Sequence, residues 1–154
     1  METYTTRVSR HFNAPRHDVY RALIDVDAIR TWKVPDAMTI EVHEHDGREG
    51  GRFRISLTYD EPRGVGKTSA RTDTYHGRYV TLIPDEKVVE IDEFESSDPT
   101  MSTPMTISFT LTDEDRGTNL LAVHEGVPES VPAADNELGW RLSLLKLAEL
   151  VELR

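Results

Sequence analysis

A chain of 154 residues fits one domain, and at that length roughly two thirds of the unfolded surface can be buried around one core. Lys and Arg total 18 against 28 Asp and Glu, a formal net charge of -10 that argues against a phosphate-binding face and so against nucleic acid as a partner. Without cysteine there is no disulfide, thiolate metal site or cysteine nucleophile, and with a polar start and no long apolar run neither a signal peptide nor a membrane span is expected, which points to a cytoplasmic protein.

Tyr4, Thr6, Val8, Arg10 and Phe12 would share one face of a first strand over residues 3–12. Asn13-Ala14-Pro15 then reads as a helix start, with Asn as the cap and Pro in the first turn, where its missing N–H costs nothing. Val19, Tyr20, Leu23 and Ile24 supply the buried stripe of that helix. A second short helical turn is expected from 26 to about 32, stopped by Val34-Pro35.

The apolar period then changes from 3.6 to 2. Met38, Ile40 and Val42 alternate before Asp46-Gly47, and Phe53, Ile55, Leu57 and Tyr59 alternate after Gly50-Gly51, which predicts a hairpin. A polar loop follows to about residue 71, and two more strands, about 72–83 and 88–95, are joined by Pro84-Asp85-Glu86-Lys87. The last hairpin pairs about 105–111 with 118–127. Such short connections make neighbouring strands antiparallel. Beyond Pro132, apolar residues from Leu138 to Val151 spread over more than half of a helix circumference, which predicts one long helix buried on a broad arc.

Several fragments resemble one family. They are Phe12-Asn13-Ala14-Pro15 with Val19-Tyr20-Arg21-Ala22-Leu23; Gly50-Gly51-Arg52-Phe53; His76-Gly77-Arg78-Tyr79 leading to Ile83-Pro84-Asp85-Glu86-Lys87-Val88-Val89; Thr118 through His124-Glu125-Gly126; and Gly139-Trp140 with Leu144-Leu145, Leu147 and Leu150. In this order they resemble the START-like, or SRPBCC, superfamily and its subgroup of activator-of-heat-shock-protein-90-ATPase homologues. The resemblance implies a single α+β domain over residues 1–154 with the helix-grip fold. That fold is a curved antiparallel sheet of about seven strands around a long C-terminal helix, with two short helices after strand 1 and a cavity between sheet and helix. Members of the superfamily bind lipids, steroids or hormones, cyclise polyketides, or stimulate a chaperone, so the fold does not fix the function. Eukaryotic members that stimulate the chaperone carry a further N-terminal domain, for which 154 residues are expected to leave no room.

Gly64-Val65-Gly66-Lys67-Thr68 ends like a phosphate-binding loop, but Glu61 stands where that pattern needs glycine and a strand follows where it needs a helix. The segment reads as a flexible loop and a candidate lid. His43 and His45 would lie on one solvated strand face among Glu41, Glu44 and Asp46, and no metal is expected. Trp32, Phe53, Tyr59, Tyr75, Tyr79, Phe94, Phe109 and Trp140, with Leu144, are the candidates for a cavity wall, and each could also serve a plain core. His124 shares a strand face with Leu120 and Ala122 and could be a polar group in that cavity. Arg141 falls within the apolar arc of the long helix, and Glu93 could face inward and pair with it. Arg54 should point to solvent. No Gly-x-Ser-x-Gly or His-Glu-x-x-His motif is present.

The leading expectation is a protein that binds a small hydrophobic or amphipathic ligand, with no cofactor. A cyclase or lyase using His124 and Glu93 is the alternative, and a protein-interaction module serving a chaperone is the third. Exposed edge strands leave a homodimer open.

Overall fold

The computed structural model describes residues 2–60 and 72–152, and the candidate lid at Gly64-Val65-Gly66-Lys67-Thr68 lies outside them. In chain order the elements are β1 (Thr3–Phe12), α1 (Arg16–Ile24), α2 (Val26–Trp32), β2 (Met38–His45), β3 (Arg52–Tyr59), β4 (Thr72–Ile83), β5 (Lys87–Phe94), β6 (Met105–Glu114), β7 (Gly117–Pro128) and α3 (Ala133–Glu152). The strands form one seven-stranded sheet in the order β1-β7-β6-β5-β4-β3-β2, with every neighbouring pair antiparallel. This is the α+β helix-grip architecture, with two short helices after the first strand and a long one after the last. Among the described residues no helix is long and apolar enough to cross a membrane.

Period-two alternation decides which face is covered. Met105, Ile107, Phe109 and Leu111 of β6 and Leu120, Ala122 and His124 of β7 are buried on the face toward α3. Gly77 on β4 lets the sheet close over its core: a Cβ there would sit 2.3 Å from the Ile91 carbonyl oxygen and 2.6 Å from Phe53 Cζ. Only glycine tolerates that approach.

Three local expectations are corrected. Pro15, not Asn13, holds the cap position of α1, and no side chain caps that helix. Asn13 lies too far upstream to reach the first turn; its backbone N–H instead donates to Glu152 at 2.7 Å, tying the end of β1 to the end of α3. In β2 the register shifts between Val42 and Glu44, and one extra residue inverts the phase of everything beyond it. His43 therefore faces outward to Ser56 at 2.8 Å, while His45 turns inward with Nε2 3.0 Å from the Tyr79 hydroxyl. The broad apolar arc of α3 is divided rather than buried: Leu144, Leu147, Ala148 and Val151 are buried, whereas Leu138 is 55% exposed and Leu142 and Leu145 are 41% exposed. The helix rests on β1, α1 and α2, so its outer flank meets solvent.

That seating matters for the site. The buried aliphatic residues of α3 all belong to its second half, where each full side chain removed from water contributes about 1.5–3 kcal/mol before chain entropy is counted. The first half is anchored by hydrogen bonds instead: the Tyr4 hydroxyl donates to the Val131 carbonyl at 2.6 Å, and the Asn136 amide donates to Thr6 Oγ1 at 2.8 Å. Under this polar-anchored half the sheet is not filled.

Candidate functional site

The unfilled space is a cavity of about 400 Å³, partly open to solvent, between the first half of α3, the segment after α2 and the inner faces of β3 to β7. Leu57, Tyr59, Phe94, Ile107 and Trp140 supply apolar wall, and Lys33, Asp73, Asp92, His124 and Asn136 supply polar groups. Ala37, between the lining residues Asp36 and Met38, has φ 64°, a left-handed conformation that is strained for a residue with a Cβ.

Of the residues singled out from sequence, Tyr59, Tyr75, Phe94, His124 and Trp140 line this cavity. Trp32, Phe53, Tyr79, Phe109 and Leu144 are packed in the core and do not line it. Trp32 donates its indole N–H to the Ala22 carbonyl at 2.8 Å, and Phe109 stands edge-on between Trp32 and Trp140 with centroids 6.1 and 5.7 Å away. The pairing of Glu93 with Arg141 does not form. Arg141 lies on the exposed flank of α3 and reaches Glu137 at 3.3 Å, while Glu93 lies on the outer sheet face, 3.4 Å from His76. A cyclase-type acid–base pair of His124 and Glu93 is therefore absent as well, because the sheet separates them. Arg54 is on the outer face as expected, held by both oxygens of Glu95 at 2.9 Å.

The acids that do face inward are Glu90 and Asp92, the alternate residues of β5. Neither was singled out from sequence, and nor was Lys33, which caps the C-terminus of α2. Lys33 Nζ lies 3.1 Å from each Glu90 carboxylate oxygen, with the two side chains 12% and 2% exposed. The ammonium also sits over the Phe53 ring, 5.4 Å from its centroid. Burial opposes the charge on Lys33, yet Glu90, backed by Tyr75, Asp92 and Tyr79, holds its pKa well above the ordinary value.

Asp92 is pushed the other way from most carboxyls. Burial raises its pKa well above the usual carboxylate range, Glu90 adds to the rise through charge and a hydrogen bond, and Lys33 opposes it. Its surroundings thus favour the protonated carboxyl, and its Oδ1 is buried without a hydrogen-bond partner. Between the ordinary and the folded pKa the native state holds a proton that the unfolded chain releases, so this group costs stability as pH rises through the ordinary carboxylate range, by about 1.4 kcal/mol per pKa unit. Asp92→Asn keeps the shape and a donor toward Glu90 but cannot ionise. It is expected to melt above wild type at pH 7 by thermal denaturation, with the gap closing near pH 4; a lower melting temperature at pH 7 would show Asp92 ionised.

His124 has a fixed tautomer. The Trp140 indole, which can only donate, points at Nδ1 from 3.1 Å, and the Asn136 amide nitrogen lies 3.4 Å from the same atom. Nδ1 is therefore the acceptor and Nε2 carries the hydrogen, facing the Met105 sulfur at 3.2 Å. Burial drives the imidazole pKa down to about 4, with Glu90 and Lys33 pulling in opposite directions, so the ring is neutral at ordinary pH. Among the described residues no group of three or more His, Cys, Asp or Glu is placed to hold a metal ion.

Comparison with known proteins agrees with this architecture. The sequence pattern of the family described as activator of Hsp90 ATPase homolog 1-like protein matches residues 13–152. No functionally curated protein matches the chain. Among solved structures, protein CV1439 from Chromobacterium violaceum is 34% identical, with a TM-score of 0.85 and coverage of 96% of each chain. A Staphylococcus epidermidis protein is 17% identical at a TM-score of 0.76, covering 99% of this chain and 92% of its own. CalU16 from Micromonospora echinospora is 20% identical at a TM-score of 0.66, covering 96% of this chain and 75% of its own. The latter two share the fold. With its pattern matched over nearly the whole length and its C-terminal helix laid across a seven-stranded sheet, this chain belongs to the activator of Hsp90 ATPase homolog 1-like family.

Proposed function

We propose that this protein binds one small amphipathic molecule in the cavity under α3. The apolar body of the ligand would lie against Phe94, Ile107 and Trp140, with its polar end at the cluster of Lys33, Asp92 and His124. The observation that carries the reading is the combination of about 400 Å³ of open space, largely apolar walls and a few convergent buried polar groups. Ligand sites have that size and composition, whereas a plain core is filled to crystal-like density and leaves no such volume.

Gly139 gives the test. It lines the cavity from α3, and a Cβ built on it meets nothing within 4 Å, so a larger side chain has room without displacing a neighbour. Replacing a helical glycine also favours the helix by about 0.5–1 kcal/mol. The neutral fluorophore prodan is expected to bind the wild-type protein with a blue-shifted emission. Gly139→Leu should weaken that binding at least about ten-fold, since the cavity mouth is partly filled, while melting at or above the wild-type temperature. Equal prodan affinity in the two proteins would remove this cavity as the ligand site.

A further inference from the structure

The polar end of the cavity is specific enough to say what chemistry it reads. We infer that the cavity takes an uncharged ligand whose polar end is a hydroxyl group, held between His124 Nε2 and Asp92 Oδ1, and that it rejects carboxylates. The inference rests on the cavity-binding reading above and goes beyond it by fixing the ligand class.

The first argument is charge. Lys33 is the one cationic side chain in the described lining, and its ammonium is already bound by both oxygens of Glu90 at 3.1 Å. Asp36, which pairs with Lys146 at 2.9 Å, Asp73 and Asp135 also line the space. An entering carboxylate would lose its water and find no uncommitted cation among the described lining residues. Amphiphiles with anionic ends, fatty acids among them, are thus poor ligands here.

The second argument is hydrogen bonding. His124 offers an Nε2–H whose protein neighbour is only the Met105 thioether, a weak acceptor. Asp92 offers a buried Oδ1 with no partner, on a residue only 3% exposed. Asp92 and Met105 are direct cross-strand partners in the β5/β6 register, and the Met105 sulfur lies 3.2 Å from His124 Nε2, so Met105 touches the donor and neighbours the residue that carries the acceptor. Methionine is unbranched and repacks readily. A ligand hydroxyl that displaces its sulfur accepts from His124 and donates to Asp92, satisfying both groups at once, which neither a carboxylate nor a pure hydrocarbon can do.

The test is displacement of prodan by three ligands of matched skeleton at pH 7.5: 1-naphthol, 1-naphthoate and naphthalene. Naphthol is expected to bind at least about ten-fold more tightly than either of the others, the worth of two neutral hydrogen bonds. In His124→Leu and Asp92→Leu the advantage of naphthol over naphthalene should disappear, and His124→Gln, which keeps both an acceptor for Trp140 and a donor, should retain most of it. Naphthoate binding as well as naphthol, or naphthalene binding as well as naphthol in the wild-type protein, would overturn the inference while leaving the cavity as a binding site. Failure of prodan and all three ligands to bind would overturn both.

Discussion

Lys33→Met is expected to destabilise the protein by about 3–5 kcal/mol, the usual cost of removing one partner of a buried ion pair. The reason is local: the Glu90 side chain is 2% exposed and both its oxygens are spent on Lys33 Nζ. Asp92 beside it carries no positive charge in either protonation state and cannot compensate the stranded carboxylate. For a domain of this size the loss corresponds to a drop of about 10 °C in melting temperature. The double variant Lys33→Met with Glu90→Gln should recover most of the loss, because it removes the uncompensated charge as well as its partner and leaves an amide beside Asp92. Urea denaturation of the four proteins of the cycle gives the coupling directly. A single variant within about 1 kcal/mol of wild type would mean that the pair is solvated and that Lys33 is free to meet a ligand, which would also remove the charge argument against carboxylates.

Acidification is expected to cost about 3 kcal/mol through His124 alone, for a pKa lowered from 6.5 to about 4. The sign follows from proton counting. Between the two values the unfolded chain binds a proton that the folded one refuses, so stability is full above pH 6.5 and is lost as pH falls toward 4. The groups that face the ring are Trp140, Asn136 and Met105, all uncharged, with Glu90 and Lys33 acting on it through space. His11 on the surface has its pKa raised by its hydrogen bond to Glu114 and so works in the opposite direction. Comparing wild type with His124→Gln cancels that contribution and those of the carboxylates. The wild-type protein should lose about 3 kcal/mol more than the variant between pH 7 and pH 4, read by urea denaturation at each pH. Parallel curves would show that the folded protein accepts the proton on His124 without penalty.

The sheet was legible because its strands alternate cleanly, and the two short helices because their apolar residues repeat at 3.6 and a proline marks each edge. Where an extra residue enters, as at His43 in β2, nothing in the sequence marks the change of phase, and His45 could not be placed beside Tyr79. The polar end of the cavity was hidden for a related reason. In Val88-Val89-Glu90-Ile91-Asp92-Glu93 both phases contain apolar and acidic residues, so inward Glu90 and Asp92 look like outward ones, and Glu93 was the wrong choice. The one available signal was that Val88, across from Phe109 in the sheet, belongs to the same phase as Glu90 and Asp92. Lys33 sits after α2 with no pattern around it, and only the fold carries it to Glu90, 57 positions away. His124 was legible as inward-facing, but its tautomer depends on Trp140 from another element.

The outermost place of β1 in the sheet has a consequence for synthesis of the chain. Among the described residues its only strand partner is β7, and Phe12 pairs with Thr118, so β1 waits for a strand made about a hundred residues later. At translation rates of about 5–20 residues per second that delay is on the order of 5–20 s. During it an apolar strand would invite edge-to-edge aggregation, but the exposed face of β1 carries Thr3, Thr5, Arg7 and Ser9, and Arg10 interrupts the inner row between Val8 and Phe12. The same strand that anchors the cavity roof through Thr6 is therefore built to survive a period alone, and the ligand site is among the last parts of the molecule to come into being.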